Sequence, residues 1–182
     1  MAEQFNALTD EQAQWIDQQP MFFVATAARD GRVNLSPKGQ TSLKVIDGNR
    51  LLWLNLTGSG NETAAHLLDV NRITLMWCAF EGPPQILRAY GSATVIHPND
   101  TQWEACTQLI PAPIGARQYF SVDIEMVQTS CGYAVPLMAF EEERKVLSMW
   151  SEKRGQSGIE DYWQEKNRVS IDGFPTGMPA KD

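Results

Sequence analysis

Two short runs combine the residue types needed to hold an anion: Asn34-Leu-Ser-Pro-Lys-Gly39 and Gly58-Ser-Gly-Asn-Glu-Thr63. The second opens a predicted helix. A helix begins with backbone N–H groups that have no partner, and its dipole adds partial positive charge there. Glycines at 58 and 60 let a ligand approach the backbone, while Ser59, Asn61 and Thr63 offer side-chain hydrogen bonds. That chemistry suits a phosphate. A plain cap fits the same letters: Ser59 and Glu62 have capping-box spacing, and Glu62 would repel an anion.

In the first run, Asn34 and Ser36 share one strand face, and Pro37 should end or bend the strand. Lys38 then sits past the break, either turned over a concave rim or solvated in a turn. Arg88 lies mid-strand between Leu87 and Ala89 and needs a carboxylate, a phosphate or solvent. His66 reads as a surface or packing residue, and no G-x-S-x-G elbow supports Ser/His/Asp catalysis. Cys131 has no histidine near it in sequence to activate the thiol. Trp150 reads as core by default, and Glu141 to Glu143 as a solvated acidic face.

The elements that must position these residues are mostly strands. Thr9-Asp-Glu-Gln12 is a capping box, so a short helix runs to Gln18. Asp30-Gly31 and Asp47-Gly48 are hairpin turns linking the apolar runs Met21–Ala28, Arg32–Ser36, Leu43–Ile46 and Leu51–Leu56. A helix is predicted over Thr63–Val70. Arg72–Phe80 is apolar on both faces and predicts a strand buried on both sides. Strands follow over Gln85–Ile96 and Tyr119–Cys131, the last with Val122, Ile124 and Met126 on one face, and Pro98–Ile110 is helical. Glu142–Arg154 and Gly158–Asn167 predict two helices parted at Gly155, and Ser170–Pro175 ends the ordered chain. The fold class is mainly β (α+β), an antiparallel split barrel of about six strands with flanking helices and a C-terminal helical pair. The division is an N-terminal helix over 1–20, a barrel domain over 21–135, and a C-terminal helical extension over 136–182 packed on the barrel or a partner.

A net charge of −7 argues against sequence-independent nucleic-acid binding, which needs a basic excess. No apolar run approaches the roughly 18–20 residues of a membrane span, and the start lacks a signal peptide's n- and h-regions. Three scattered cysteines fit reduced thiols, and two histidines argue against a histidine-rich metal centre. The expected setting is cytoplasmic, with no metal.

Taken in order, Val33-Asn-Leu-Ser-Pro-Lys-Gly39, Leu51-Leu-Trp-Leu-Asn55 with Gly58–Thr63, Arg72-Ile-Thr-Leu75 and Arg88–Gly91 resemble the pyridoxamine 5′-phosphate oxidase-like family of FMN-binding split barrels. Ser130-Cys-Gly-Tyr133 and Ser170-Ile-Asp-Gly173 resemble an uncharacterised bacterial branch of it. The resemblance implies a homodimer holding FMN at the subunit interface. It implies that Val33, Asn34, Leu35, Ser36, Pro37 and Lys38 line the flavin and ribityl chain, that Leu54 and Asn55 belong to the next contact strand, and that Ser59, Gly60, Asn61, Glu62 and Thr63 form the phosphate-side loop. It implies that Ile86 and Arg88 face the cofactor and that Ser130 and Cys131 come from the partner subunit.

Departures narrow the activity. Oxidases of the family carry arginine where Val33 stands, an Arg-Lys pair where Asn61 and Glu62 stand, and an Arg-x-His element missing from Val135–Ala139. Oxidation of pyridoxamine phosphate is therefore not expected. The first reading is an FMN-dependent oxidoreductase passing hydride through flavin N5 between NAD(P)H or an unknown small organic donor and an acceptor. The others are a non-catalytic carrier of flavin, deazaflavin or tetrapyrrole, and a structural dimer with an empty cleft.

Overall fold

The computed structural model describes residues 2–181. Its strands are β1 (Glu3–Phe5), β2 (Met21–Thr26), β3 (Asn34–Gly39), β4 (Leu43–Asp47), β5 (Arg50–Leu56), β6 (Ile73–Cys78), β7 (Ile86–Ile96) and β8 (Ala116–Ser130). Its helices are α1 (Asp10–Asp17), α2 (Glu62–Asp69), α3 (Trp103–Leu109) and α4 (Val146–Lys166). The strands form one antiparallel sheet in the order β3-β2-β6-β7-β8-β5-β4, with β1 added against β8. The two end strands, β3 and β4, are joined only through a single 3₁₀ turn at Gln40–Ser42, so the curled sheet is a split barrel. It has more strands than the six expected. β5 covers one edge of β8 only as far as Asp123, and β1 pairs with the stretch left open beyond it, Val127–Thr129.

Aromatic residues fill the interior. The Trp53 and Phe120 rings stack at 4.5 Å between centroids, Phe22 and Trp77 at 5.9 Å, and Phe22 meets Trp53 edge-on at 6.2 Å. A second cluster, Leu52, Leu54, Ile96, Cys106, Ile110 and Tyr119, packs α3 against the outside of the barrel. A third joins Ile159 and Trp163 of α4 to Met178 of the tail. Among the described residues no helix is long and apolar enough to cross a membrane.

Several local expectations stand. Thr9 and Gln12 form the reciprocal capping box, and both Asp-Gly segments separate paired antiparallel strands. Gly155, with φ +68°, parts α4 into two helical arms.

Others are corrected. β3 runs straight through Pro37, because it is an edge strand and a missing N–H costs no ladder bond there. β6 is fully buried only on its inner face: Ile73, Leu75 and Trp77 point inward, while on the outer face Cys78 is buried and Thr74 and Met76 are partly exposed. Met126 does not share a face with Ile124, because the register between β7 and β8 slips at Tyr90/Gly91 and the bulge reverses the alternation. Gly91 is required at that bulge, since a β-carbon would fall on the Asp123 carbonyl oxygen. Ser59 forms no cap; α2 starts at Glu62 with Asn61 as its N-cap. The chain stays packed beyond Ser170–Pro175: Val169 bridges Pro175, and Thr176 and Met178 are buried.

Candidate functional site

The Thr57–Asn61 loop is shaped by residues far away in sequence. The Thr57 hydroxyl donates to the Gly115 carbonyl at 2.8 Å and accepts the Trp163 indole N–H at 2.7 Å. Asn167 Nδ2 donates to the Gly58 carbonyl at 3.1 Å, and Arg117 Nη1 donates to the Gly60 carbonyl at 2.8 Å. Gln118 Nε2 donates to Asn61 Oδ1 at 2.9 Å. The Gly58 and Gly60 carbonyls are thus taken by protein donors. Among the described residues, the N–H groups of Gly58, Ser59, Gly60 and Asn61 meet no protein acceptor. Free amides beside a helix N-terminus are the ordinary makings of an anion site.

This loop closes one side of a cavity of about 180 Å³, with Asn34, Ser36 and Lys38 of β3 opposite and Arg117 at its back. Arg117 is only 3% exposed, and its Nε is buried with no partner. Among the described residues neither Arg117 nor Lys38 forms an ion pair. Lys38 Nζ lies 5.2 Å from the centroid of the Trp53 ring. Burial, then the nearby Arg117 charge, bring the Lys38 ammonium down to about 8, against a smaller opposing pull from Glu62. Burial brings Arg117 down to about 10, partly offset by Glu62 and Tyr162. Two poorly solvated cations facing one cavity make it strongly attractive to an anion.

The neutral side chains are fixed by a network behind the cavity. Asn34 Nδ2 donates to the hydroxyls of Thr26 and Thr63, each at 3.1 Å, and the Thr26 hydroxyl lies 3.1 Å from His66 Nδ1. His66 is fully buried, so it supports Asn34 and faces no ligand. The Glu62 carboxylate folds back over Gly60, where a β-carbon would collide with it, and accepts the Ile171 N–H at 3.3 Å.

Two further grooves flank β3. Toward Lys38, Met21, Pro37, Phe80, Met138 and Phe140 line one of about 450 Å³. Toward Asn34, Val33, Leu35, Lys166, Val169 and Ile171 line one of about 670 Å³.

Of the residues singled out from sequence, Asn34, Ser36, Lys38, Asn55, Ser59, Gly60, Asn61, Glu62 and Thr63 come together at the cavity. Val33, Leu35 and Pro37 line the flanking grooves. Leu54 is packed in the α3 cluster. Arg88 lies on the sheet face opposite to its inward-facing neighbour Leu87, where it donates to Ser130 Oγ at 3.2 Å; Cys131 is exposed beside it. Sequence reasoning passed over Arg117, Trp163 and Asn167. Arg117 carried a signal: it is a lone charge in the buried run Ala116–Phe120, open to the argument applied to Arg88. Trp163 and Asn167 carried none, because their roles depend on where α4 docks.

Fold and cavity together define a split-barrel protein with a cation-lined cavity between β3, β5, β8 and the start of α2. The sequence matches the pyridoxamine 5′-phosphate oxidase family profile over residues 8–131, and the chain belongs to that family. It is 32% identical to the pyridoxamine 5′-phosphate oxidase family protein ustO of Aspergillus flavus, over 94% of this chain and 76% of that protein. Its fold resembles that of HupZ from Group A Streptococcus, with a TM-score of 0.54 and 21% identity over 65% of this chain and 91% of that one. It also resembles a candidate pyridoxamine 5′-phosphate oxidase of Lactobacillus delbrueckii, with a TM-score of 0.52 and 22% identity over 68% and 94% of the two chains.

Proposed function

We propose that the chain binds a flavin nucleotide at this cavity and acts as a flavin-dependent oxidoreductase, with FMN the smallest complete ligand. The observation that carries this reading is Arg117, a buried guanidinium with an unpartnered Nε, sharing the cavity with Lys38 and a row of free amides. The residues fit the group. A cavity of about 180 Å³ holds a phosphate and part of a ribityl chain, so the flavin ring lies beyond it. The groove past Lys38 offers that ring Met21, Phe80, Met138 and Phe140 as apolar walls.

When bound, a flavin supplies hydride transfer at N5. The protein's part is binding and shielding. Lys38 and Arg117 neutralise the phosphate, and the apolar walls exclude water from the ring. Arg88, Ser130 and Cys131 lie away from this cavity within one protomer, so in this reading they serve the flavin of a second copy in a homodimer. Sedimentation of the flavin-loaded protein should give a dimer; a monomer that keeps its flavin contradicts the shared site.

The Lys38 ammonium gives the site a pH signature. A bound phosphate favours the charged amine and raises its pKa, so the complex holds a proton that the free protein sheds above about 8. FMN affinity is therefore expected to be level near neutrality and to fall above pH 8 by at most about tenfold per pH unit. Lys38→Met should flatten this alkaline limb and weaken binding at neutral pH by about 1–3 kcal/mol. Calorimetric titration across pH 6–10 measures both, and an unchanged limb in the variant removes Lys38 from the anion site.

A further inference from the structure

Three charged side chains line the cavity, Lys38, Glu62 and Arg117, and only two of them are cations. A carboxylate in the wall of an anion site needs a cause. Glu62 is the first residue of α2, and an acid there complements the helix dipole. Pointing into solvent would serve that purpose equally well. Instead the side chain folds back over Gly60, where a β-carbon would collide with it, and Oε1 accepts the Ile171 N–H at 3.3 Å. The turn that carries Ile171 is itself tied down, because Asp172 accepts both the backbone N–H and the guanidinium of Arg32. The fold therefore holds Glu62 at the rim of the cavity.

The donor that Glu62 finds is a neutral amide, so its charge is not cancelled there. Among the described residues it forms no ion pair. Its field reaches both cations instead, opposing the effect of burial at Lys38 and at Arg117. With all three groups ionised, two cations and one carboxylate leave the cavity with a single net positive charge. The first negative charge of an incoming group neutralises it. A second negative charge finds no net attraction left, yet still gives up its hydration on entry. Without the carboxylate the cavity would carry both positive charges unopposed and match a doubly charged phosphate monoester.

We propose that Glu62 is the specificity-determining residue of this site, tuning it to an oxyanion ester that carries a single charge. The inference rests on the flavin reading above and concerns the charge of the group bound. FMN and riboflavin 5′-sulfate test it, because they share ring and chain and differ in charge. At about pH 7.5 the phosphate, with a second pKa of about 6, is mostly doubly charged, and the sulfate is singly charged. Calorimetric titration of the full wild-type chain should find the two affinities within about threefold of each other. Glu62→Gln keeps an acceptor for the Ile171 N–H and removes the charge. It should tighten FMN by about tenfold or more and the sulfate ester much less, so that FMN becomes clearly preferred. A helix-capping role alone would change the stability of α2 and leave the ratio of the two affinities where it was. A wild-type preference for FMN of about tenfold or more, or a ratio that Glu62→Gln does not move, overturns the assignment and leaves the flavin reading standing. Binding of neither ester overturns both.

Discussion

An Arg117→Met protein is expected to lose about two orders of magnitude in FMN affinity while its empty form is no less stable than wild type. The two effects have opposite causes. In the empty protein the guanidinium is buried, its Nε has no partner, and its one hydrogen bond goes to a neutral carbonyl, that of Gly60. Burial without a counter-ion costs stability, and a methionine of similar length removes that cost. In the complex the same charge meets a phosphate away from bulk water, where losing one member of a buried charged pair costs about 2–5 kcal/mol. Calorimetry of binding and thermal melting of the empty protein read the two separately. A variant that binds FMN as wild type does would show that Arg117 is a structural residue and that the anion site has been misplaced.

The second large effect is expected at Trp163, on α4 and far from the barrel in sequence. Its side chain is 5% exposed, packs with Ile159 and Met178, and donates its indole N–H to the Thr57 hydroxyl that anchors the Thr57–Asn61 loop. Trp163→Ala should destabilise the docking of α4 by about 3–5 kcal/mol, the usual range for emptying such a site. The Thr57–Asn61 amides would then exchange hydrogen faster and FMN affinity would fall, although Trp163 does not line the cavity. Trp163→Phe keeps most of the packing and loses only the hydrogen bond, so its cost should be about 1 kcal/mol. If Trp163→Ala loosens α4 but leaves loop exchange and FMN affinity unchanged, the extension does not support the site.

These two residues also mark where the sequence was readable and where it was not. β3, the loop at Gly58 and the start of α2 are local features, and eight of their residues singled out by type and spacing line one cavity. The Thr9–Gln12 cap and the Asp-Gly hairpins were legible for the same reason, since each depends on contacts within a few residues. Failures occurred where a distant partner decides. Pro37 reads as a strand breaker until β3 is known to be an edge, and Ser59 reads as a cap until Asn167 and Arg117 are seen to hold the loop's carbonyls. The Gly91 bulge, which turns Met126 away from Ile124, leaves a trace in sequence only as one glycine in a strand. Arg117 escapes a sequence reading because the strand pattern there starts at Tyr119, which leaves Arg117 in a loop, whereas β8 begins at Ala116.

The central claim is that the cavity between Lys38 and Arg117 holds a flavin nucleotide. The most direct test is the visible absorption spectrum of the purified protein, repeated on the supernatant after heat denaturation. The account predicts bands near ~370 and ~450 nm, carried by the native protein or acquired on incubation with FMN or FAD, and released into solution on unfolding. A spectrum that stays blank after incubation with both flavins would contradict it.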